Sequence, residues 1–393
     1  MSDSSWRKGL DGLRAVSNAR ASRLAPREAG NVYRVLAWPE FLERTGMSET
    51  EFRSYVGVDE RTLAAGELPR SPRHLHEGET VFVGVDRNGP WTDAGFPLEL
   101  WGAHGQGGNG EMAALSRRNG LHFFEQLEVA PAPGDDLAVW RPRLLMVDGP
   151  PEAALSEFKD TFAALDDAKK RFRGWEVEGE TGNLNASTLV ASIARGVDAV
   201  VFIAHGPPPE LGTDTMWFGG DDRTSVPWSA VDEALAKNPR PLRFTFVMAC
   251  ESYQPIVATL RSLASQQRLH PHFGAVLVRG SPDMTAGAVF AGALLETLVL
   301  LGEHEIARTG EDRALADAAP LAFAVQEARR RVWDALAHED PPRSRVKARV
   351  EAARARLVHA RPDVRPFPLG LELERERYLA SLAAGMRGAA NHA

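Results

Sequence analysis

Phe246-Val247-Met248-Ala249-Cys250-Glu251-Ser252 ends an apolar run on the one cysteine of the 393-residue chain. A run without polar alternation is the pattern of a strand covered on both faces, as in a parallel α/β sheet. A second such run lies 45 residues upstream, Val200-Val201-Phe202-Ile203-Ala204-His205-Gly206, and it ends on an imidazole. Two strands leaving a sheet with a thiol and an imidazole can bring the two together. The thiolate is then a nucleophile, and the imidazole favours the thiolate and returns a proton to the leaving group. Either residue alone reads more simply, Cys250 as a small buried hydrophobe and His205 as a structural strand-end group. Their order, spacing and the glycine after the histidine favour catalysis. A second His-Gly pair, His104-Gly105, precedes the loop Gln106-Gly107-Gly108-Asn109-Gly110 rather than ending a long apolar run, and reads as a decoy.

Working outward, strand and helix signals alternate from about Arg143, as in a parallel α/β sheet. Leu144-Leu145-Met146-Val147 is a short strand ending at Asp148-Gly149. Leu155, Phe158, Phe162 and Leu165 recur at helical spacing, and Trp175 to Glu178 reads as a strand. Asn185 caps a helix carrying Leu189, Val190 and Ile193, which Gly196 ends. After the His205 strand comes a turn-rich crossover containing Gly219-Gly220-Asp221-Asp222, then a helix over Trp228 to Leu235 and the Leu242–Ala249 strand. Ala275-Val276-Leu277-Val278 is a further strand ending near Asp283, followed by helices at roughly 285–301 and 318–337. Ligands of open α/β sheets bind beyond the carboxyl ends of the strands. Asp148, His205, Cys250 and Asp283 all fall at such ends.

Composition sets the frame. Apolar content of 44% and charged content of 25% suit a globular protein, and the length suits two domains or one large one. A net charge of −7 argues against coating nucleic acid. A single cysteine excludes an internal disulfide and fits a reducing compartment. Met1-Ser2-Asp3-Ser4-Ser5 lacks the form of a secretory signal, so the expected location is cytoplasmic. Ala286 to Leu301 is interrupted by Glu296 and is short for a bilayer, so it reads as a buried helix, with no membrane partner expected.

The ends differ in character. Residues 1–76 read as a helical module: Ser48 caps one short helix, Gly57 makes a turn, and Val58 and Leu63 pack a second. The arrangement is similar to the helix-turn-helix of phage-repressor-type regulators. Arg53, however, stands where that motif needs a small residue, and Asp59-Glu60 would face phosphates, so DNA is not the expected partner. Residues 77–142 read as irregular strands, including Thr80 to Val85, with Pro131 to Asp136 as a linker. Residues 143–337 form the main α/β domain, and 338–393 an Arg-rich helical tail with Val346, Val350, Ala353 and Leu357 on one face and a solvated basic face. His270-Pro271-His272 and His74-Leu75-His76, the latter followed by Glu77 and Glu79, lack the spacing of a zinc site and read as surface histidines. Neither a metal nor a cofactor is expected.

The chain resembles the caspase-like peptidases of clan CD, and among them the bacterial CHAT domain. The matching pieces are His205-Gly206, Met248-Ala249-Cys250-Glu251-Ser252, Val276-Leu277-Val278 running to Asp283, and the closing helix with Ala322 to Arg330. The caspase pattern likewise places an Ala-Cys nucleophile about 50 residues after its histidine. Phe96-Pro97-Leu98-Glu99-Leu100-Trp101 is similar to a degenerate Pro-Trp-Glu-Leu element found upstream in such domains. The resemblance covers about 143–337, is weaker over 77–142, and is absent at both ends. It implies a caspase-like three-layer α/β sandwich with a mostly parallel sheet, a Cys250/His205 dyad, polypeptide substrates and a bacterial defence or cell-death setting, CRISPR-associated systems included. Met248 and Glu251-Ser252 replace the caspase residues around the nucleophile, so a caspase preference for Asp does not carry over. The tandem helical repeats that accompany many CHAT domains are missing.

These readings predict a cysteine endopeptidase in which Cys250 attacks a peptide carbonyl, His205 protonates the departing amine, and the N–H groups of Gly206 and Cys250 hold the oxyanion. Asp148 and Asp283 are candidates for a pocket that binds Arg before the cut, against the simpler reading that both cap turns or helices. Arg343 and Arg345 after Pro341-Pro342 are candidate self-processing positions, and an upstream activator is a further candidate partner. The alternatives are a catalytically silent caspase-like scaffold and a helix-turn-helix regulator with an appended peptidase domain.

Overall fold

The structure is a computed structural model that describes residues 34–36, 42–43, 48, 50, 80–84, 120–129, 143–148, 176–181, 185–204, 215–218, 224–303, 320–336, 351–352 and 354–359. Its strands are β1 (Arg34–Leu36), β2 (Thr80–Gly84), β3 (Gly120–Gln126), β4 (Arg143–Asp148), β5 (Glu176–Thr181), β6 (Ala199–Ile203), β7 (Thr215–Phe218), β8 (Thr224–Pro227), β9 (Leu242–Met248), β10 (Leu269–Val278) and β11 (Ala355–His359). The helices are α1 (Ala186–Ala194), α2 (Trp228–Ala236), α3 (Tyr253–Ser265), α4 (Met284–Glu303) and α5 (Pro320–Leu336).

A nine-stranded sheet runs β1-β2-β3-β11-β10-β9-β6-β4-β5, and β7 with β8 forms a separate antiparallel hairpin over the crossover expected there. Every pairing in the large sheet is parallel except β10 with β11. β4 lies between β5 and β6, so the chain steps one way from β4 to β5 and the other way to β6 and β9. Such a reversal opens a crevice beyond the carboxyl ends of the strands. The ends of β4, β6, β9 and β10 share that edge.

The sheet separates two cores. Met146, Val201, Phe246, Val276 and Leu357 face one side, where Phe290 and Leu294 of α4 and Ala324 and Ala328 of α5 cover them. Leu145, Val200, Val247, Leu277 and Val358 face the other, under Leu189 of α1, Val231 of α2 and Ile256 and Leu260 of α3. Adjacent strand residues thus enter opposite cores, which is why the runs are apolar without alternation. The result is the mixed α/β, mostly parallel three-layer arrangement anticipated from the sequence.

Local chemistry sets the ends of these elements. Asn185 and Thr188 form a reciprocal capping box at the start of α1, and Gly196 leaves the helix at φ +91°, as expected. The Asn238 side chain accepts from Val197 N–H (3.0 Å) and donates to Val197 C=O (2.8 Å), tying the exit of α2 to the entry of β6. Ala286 to Leu301 lies in α4, as the sequence indicated. Among the described residues no helix is long and apolar enough to cross a membrane.

Two differences from the sequence reading concern the ends. β1 lies in the segment read as a helical module and β2 and β3 in the irregular segment, and all three extend the large sheet. Of the helix-turn-helix, only Leu42, Glu43 and Thr50 (helical) and Ser48 are described; Arg53, Gly57 and Asp59-Glu60 lie outside the described residues, as do Phe96 to Trp101. The helix expected to run through Leu357 is met at Glu351 and Ala352, which are helical, and gives way to β11 from Ala355. Ala355 and Leu357 enter one core while Arg356 and Val358 face the other, a period of two rather than 3.6. The expected solvated basic face is not met at Arg354 and Arg356, which are 5% and 0% exposed. Strand pairing on both sides of β11 satisfies its backbone, and the Arg356 guanidinium lies over the Tyr253 ring, 5.7 Å from its centroid. Val346, Val350, Arg343 and Arg345 lie outside the described residues.

Candidate active site

β9 ends at Met248, and the chain turns through Ala249, Cys250, Glu251 and Ser252 into α3. Glu251 makes the turn in the left-handed region, φ +54°. Ser252 is fully buried and its hydroxyl donates to the Ala249 carbonyl (2.8 Å), while its own carbonyl accepts Ile256 N–H (3.2 Å) to start the helix. Cys250 stands half-buried above this first turn as a reduced thiol. Glu251 N–H donates to Gly280 C=O (3.1 Å) and Ser252 N–H reaches Ala249 C=O (3.4 Å). Among the described residues the Cys250 N–H meets no acceptor.

The neighbouring loop after β10 fits this turn closely. Gly280 has φ +62°, and a Cβ there would lie 2.8 Å from an Arg354 guanidinium nitrogen. Arg354 is held by Glu351 (3.0 Å), and its backbone carbonyl accepts Arg279 N–H (3.1 Å). Glu351 also accepts the Asp283 N–H (2.8 Å), and burial pushes its carboxyl above the ordinary range against the pull of Arg354. Asp283 caps α4: its Oδ1 accepts Ala286 N–H (3.2 Å) and its carbonyl accepts Gly287 N–H (2.8 Å). Gly287 lets α4 pass the end of β9, since a Cβ there would meet Met248 Sδ at 2.8 Å. Tyr253, the first residue of α3, is buried, and burial raises its hydroxyl above the ordinary tyrosine range while Arg356 pulls the other way.

On the other flank, β6 runs beside β9 with Ile203 opposite Met248, and Ala204 N–H donates to Met248 C=O (3.0 Å). His205 and Gly206 follow directly and lie outside the described residues, as do His104 and Gly105. Asp148 is the last residue of β4, opposite Ile203 on one side and Thr181 on the other. The described backbone therefore brings Cys250, Asp148 and the residue before His205 to one sheet edge, with Asp283 beyond the end of β10 at the same edge.

The histidines of His270-Pro271-His272 belong to the irregular start of β10 rather than to this edge. His270 Nε2 lies 3.1 Å from an Arg243 guanidinium nitrogen, and its Nδ1 accepts His272 N–H (3.1 Å). Burial, with Arg243 adding to it, lowers the His270 imidazole to about 3. His74 and His76 lie outside the described residues. Sequence reading passed over Gly280, Ser252 as the residue opening α3, and α3 itself. The apolar spacing of Ile256, Leu260 and Leu263 after Ser252 was the available signal for that helix.

No family model matches the chain, and no curated protein matches it in sequence. Among solved structures it is similar to the Arg-specific cysteine proteinase gingipain R, at 10% identity over 84% of this chain and 77% of that one, with a TM-score of 0.43. It is also similar to the complex of Porphyromonas gingivalis RgpB pro- and mature domains, at 9% identity over 81% and 70%, with a TM-score of 0.44. A secreted C11 cysteine protease from Bacteroides thetaiotaomicron matches at 15% identity over 45% of this chain and 57% of that chain, with a TM-score of 0.27.

Proposed function

We propose that the chain is a cysteine endopeptidase whose nucleophile is Cys250 and whose general acid–base is His205. The observation that carries the reading is the register of β6 on β9. Ile203 is opposite Met248 where these parallel neighbours end, and in sequence His205 and Cys250 each follow two residues later. Adjacent strands run about 4.8 Å apart, a spacing that side chains of these lengths bridge easily. The half-buried thiol lies at the crevice edge, where this class of sheet receives ligands.

In the proposed reaction Cys250 Sγ attacks the scissile carbonyl carbon, and the C–N bond breaks as His205 gives its proton to the departing amine. Water then attacks the thioester, the C–S bond breaks, and the acid product leaves with the thiol restored. The Cys250 N–H, which has no acceptor among the described residues, is one oxyanion donor, and Gly206 N–H is the second. A preference for Arg before the cut belongs to the same proposal, with Asp148 as the pocket carboxylate. Asp283, whose Oδ1 accepts Ala286 N–H at the start of α4, is the second carboxylate of the proposed pocket. Cleavage after Arg343 or Arg345 would make the enzyme its own substrate, and the caspase-like, CHAT-type resemblance makes a bacterial defence role the setting we favour.

The test is turnover of a fluorogenic peptide library by purified protein, alongside C250A and H205A. Loss of turnover in both variants with unchanged circular dichroism supports the dyad. Full turnover in either overturns it, and a wild-type protein that cleaves nothing with or without candidate activators favours a binding scaffold.

A further inference from the structure

The residue after the nucleophile is held in a way that the proposed chemistry does not use. Glu251 is exposed and carries a full side chain in the left-handed region, φ +54°, a conformation that glycine adopts without steric cost. Its backbone N–H is committed to Gly280 C=O (3.1 Å), so it is not an oxyanion donor. Its Oε1 accepts the Ser281 hydroxyl (3.4 Å), and no cation pairs with it among the described residues. Two other carboxylates near this edge are engaged: Glu351 holds Arg354 and Asp283 N–H, and Asp283 caps α4. Glu251 is thus an exposed carboxylate on the residue next to Cys250, steadied by one hydroxyl and with no cationic partner among the described residues. Backbone strain of this kind concentrates where a function holds it in place.

We propose that Glu251 is a specificity-determining residue that receives a cationic side chain of the substrate, Arg before Lys, beside the scissile bond. The inference rests on the peptidase reading and adds to it a carboxylate distinct from Asp148. A guanidinium offers paired N–H donors to the carboxylate, and the pair gains strength as the bound peptide excludes water. Ser281 is a positioning residue that restricts the Glu251 rotamer.

The experiment uses the full chain and matched peptides in which Arg, Lys, Gln or Glu is placed in turn on either side of the cut. For the wild type, kcat/KM is expected to be about tenfold or more higher for Arg than for Gln at one of these positions, a ratio that shrinks as salt rises. In E251Q that ratio is expected to fall toward one, and in E251K to invert in favour of Glu. S281A is expected to lower the ratio through KM with kcat for the Arg peptide retained, which a merely structural role would not do. Thermal unfolding of each variant separates misfolding from lost recognition. A ratio that survives in E251Q and E251K but vanishes in D148N overturns the inference while leaving the peptidase reading standing. A wild type that cleaves none of the peptides removes both.

Discussion

His359 makes the protein lose stability on acidification, by an amount that the structure fixes in sign and approximate size. The imidazole is 1% exposed, stacked on Phe124 with ring centroids 4.7 Å apart, in the strand that joins the two halves of the sheet. Burial lowers it to about 3, against an ordinary value of 6.5. The native state therefore holds it neutral, whereas the unfolded chain takes up a proton below pH 6.5. Its contribution is complete above that value and declines as pH falls toward 3, at about 1.4 kcal/mol per pH unit. Between pH 7.5 and 5.0 this single group accounts for about 2 kcal/mol. His122, lowered well below its ordinary value by burial first and then by Arg329 and His359, acts in the same direction. Glu351 acts oppositely: its raised carboxyl favours the native state below pH 4.5, and that advantage is lost as pH rises through its folded value. A comparison of wild type with H359F, which keeps an aromatic ring for Phe124, cancels the contributions of groups that His359 does not influence; His122, lowered in part by His359, adds to the difference in the same direction. Urea unfolding of both proteins at pH 7.5, 6.5 and 5.0 should show the wild type losing about 2 kcal/mol more than the variant. Equal losses in the two proteins would refute the reasoning, because they would mean that His359 titrates alike folded and unfolded.

Gly280→Ala should destabilise by about 2–3 kcal/mol, from about 1 kcal/mol of left-handed strain plus displacement of the buried Arg354 guanidinium, read by urea midpoint. It should also lower turnover, since the Gly280 carbonyl holds the residue after Cys250. Glu251→Gly should do the reverse for stability, raising it by about 1 kcal/mol in the same assay while reducing discrimination between Arg and Gln peptides. Asn238→Ala should cost about 2–3 kcal/mol by thermal unfolding, because it strands both backbone groups of Val197 in a buried setting far from Cys250, and the catalytic rate constant of the folded fraction should be retained.

The central strands were legible because their burial on two faces writes itself as uninterrupted apolar sequence. Val200 to Ile203 and Phe244 to Met248 needed no partner to be recognised, and their shared exit edge followed from the parallel class. The capping of α1 was legible for a different reason: Asn185 and Gly196 act on their own backbone neighbourhood. β11 was not, because Arg354, Ala355, Arg356 and Leu357 look like a basic helix until Arg356 is set against Tyr253 and the backbone is paired on both sides, partnerships with residues far away in sequence. The joining of β1, β2 and β3 to the main sheet is hidden for the same reason, since parallel pairing leaves no local turn signal. At the candidate site, Cys250 was readable from its strand, whereas the roles of Gly280 and Ser281 depend on a loop more than 25 residues away approaching the turn at Glu251.

The most direct test of the Cys250–His205 account is active-site labelling with an Arg-containing peptidyl acyloxymethyl ketone, followed by mass spectrometry of the modified peptide. The account predicts one covalent adduct on Cys250, formed rapidly in the wild type, slowed by at least about a hundredfold in H205A and absent in C250A. Labelling of Cys250 at equal rates in the wild type and H205A would contradict it.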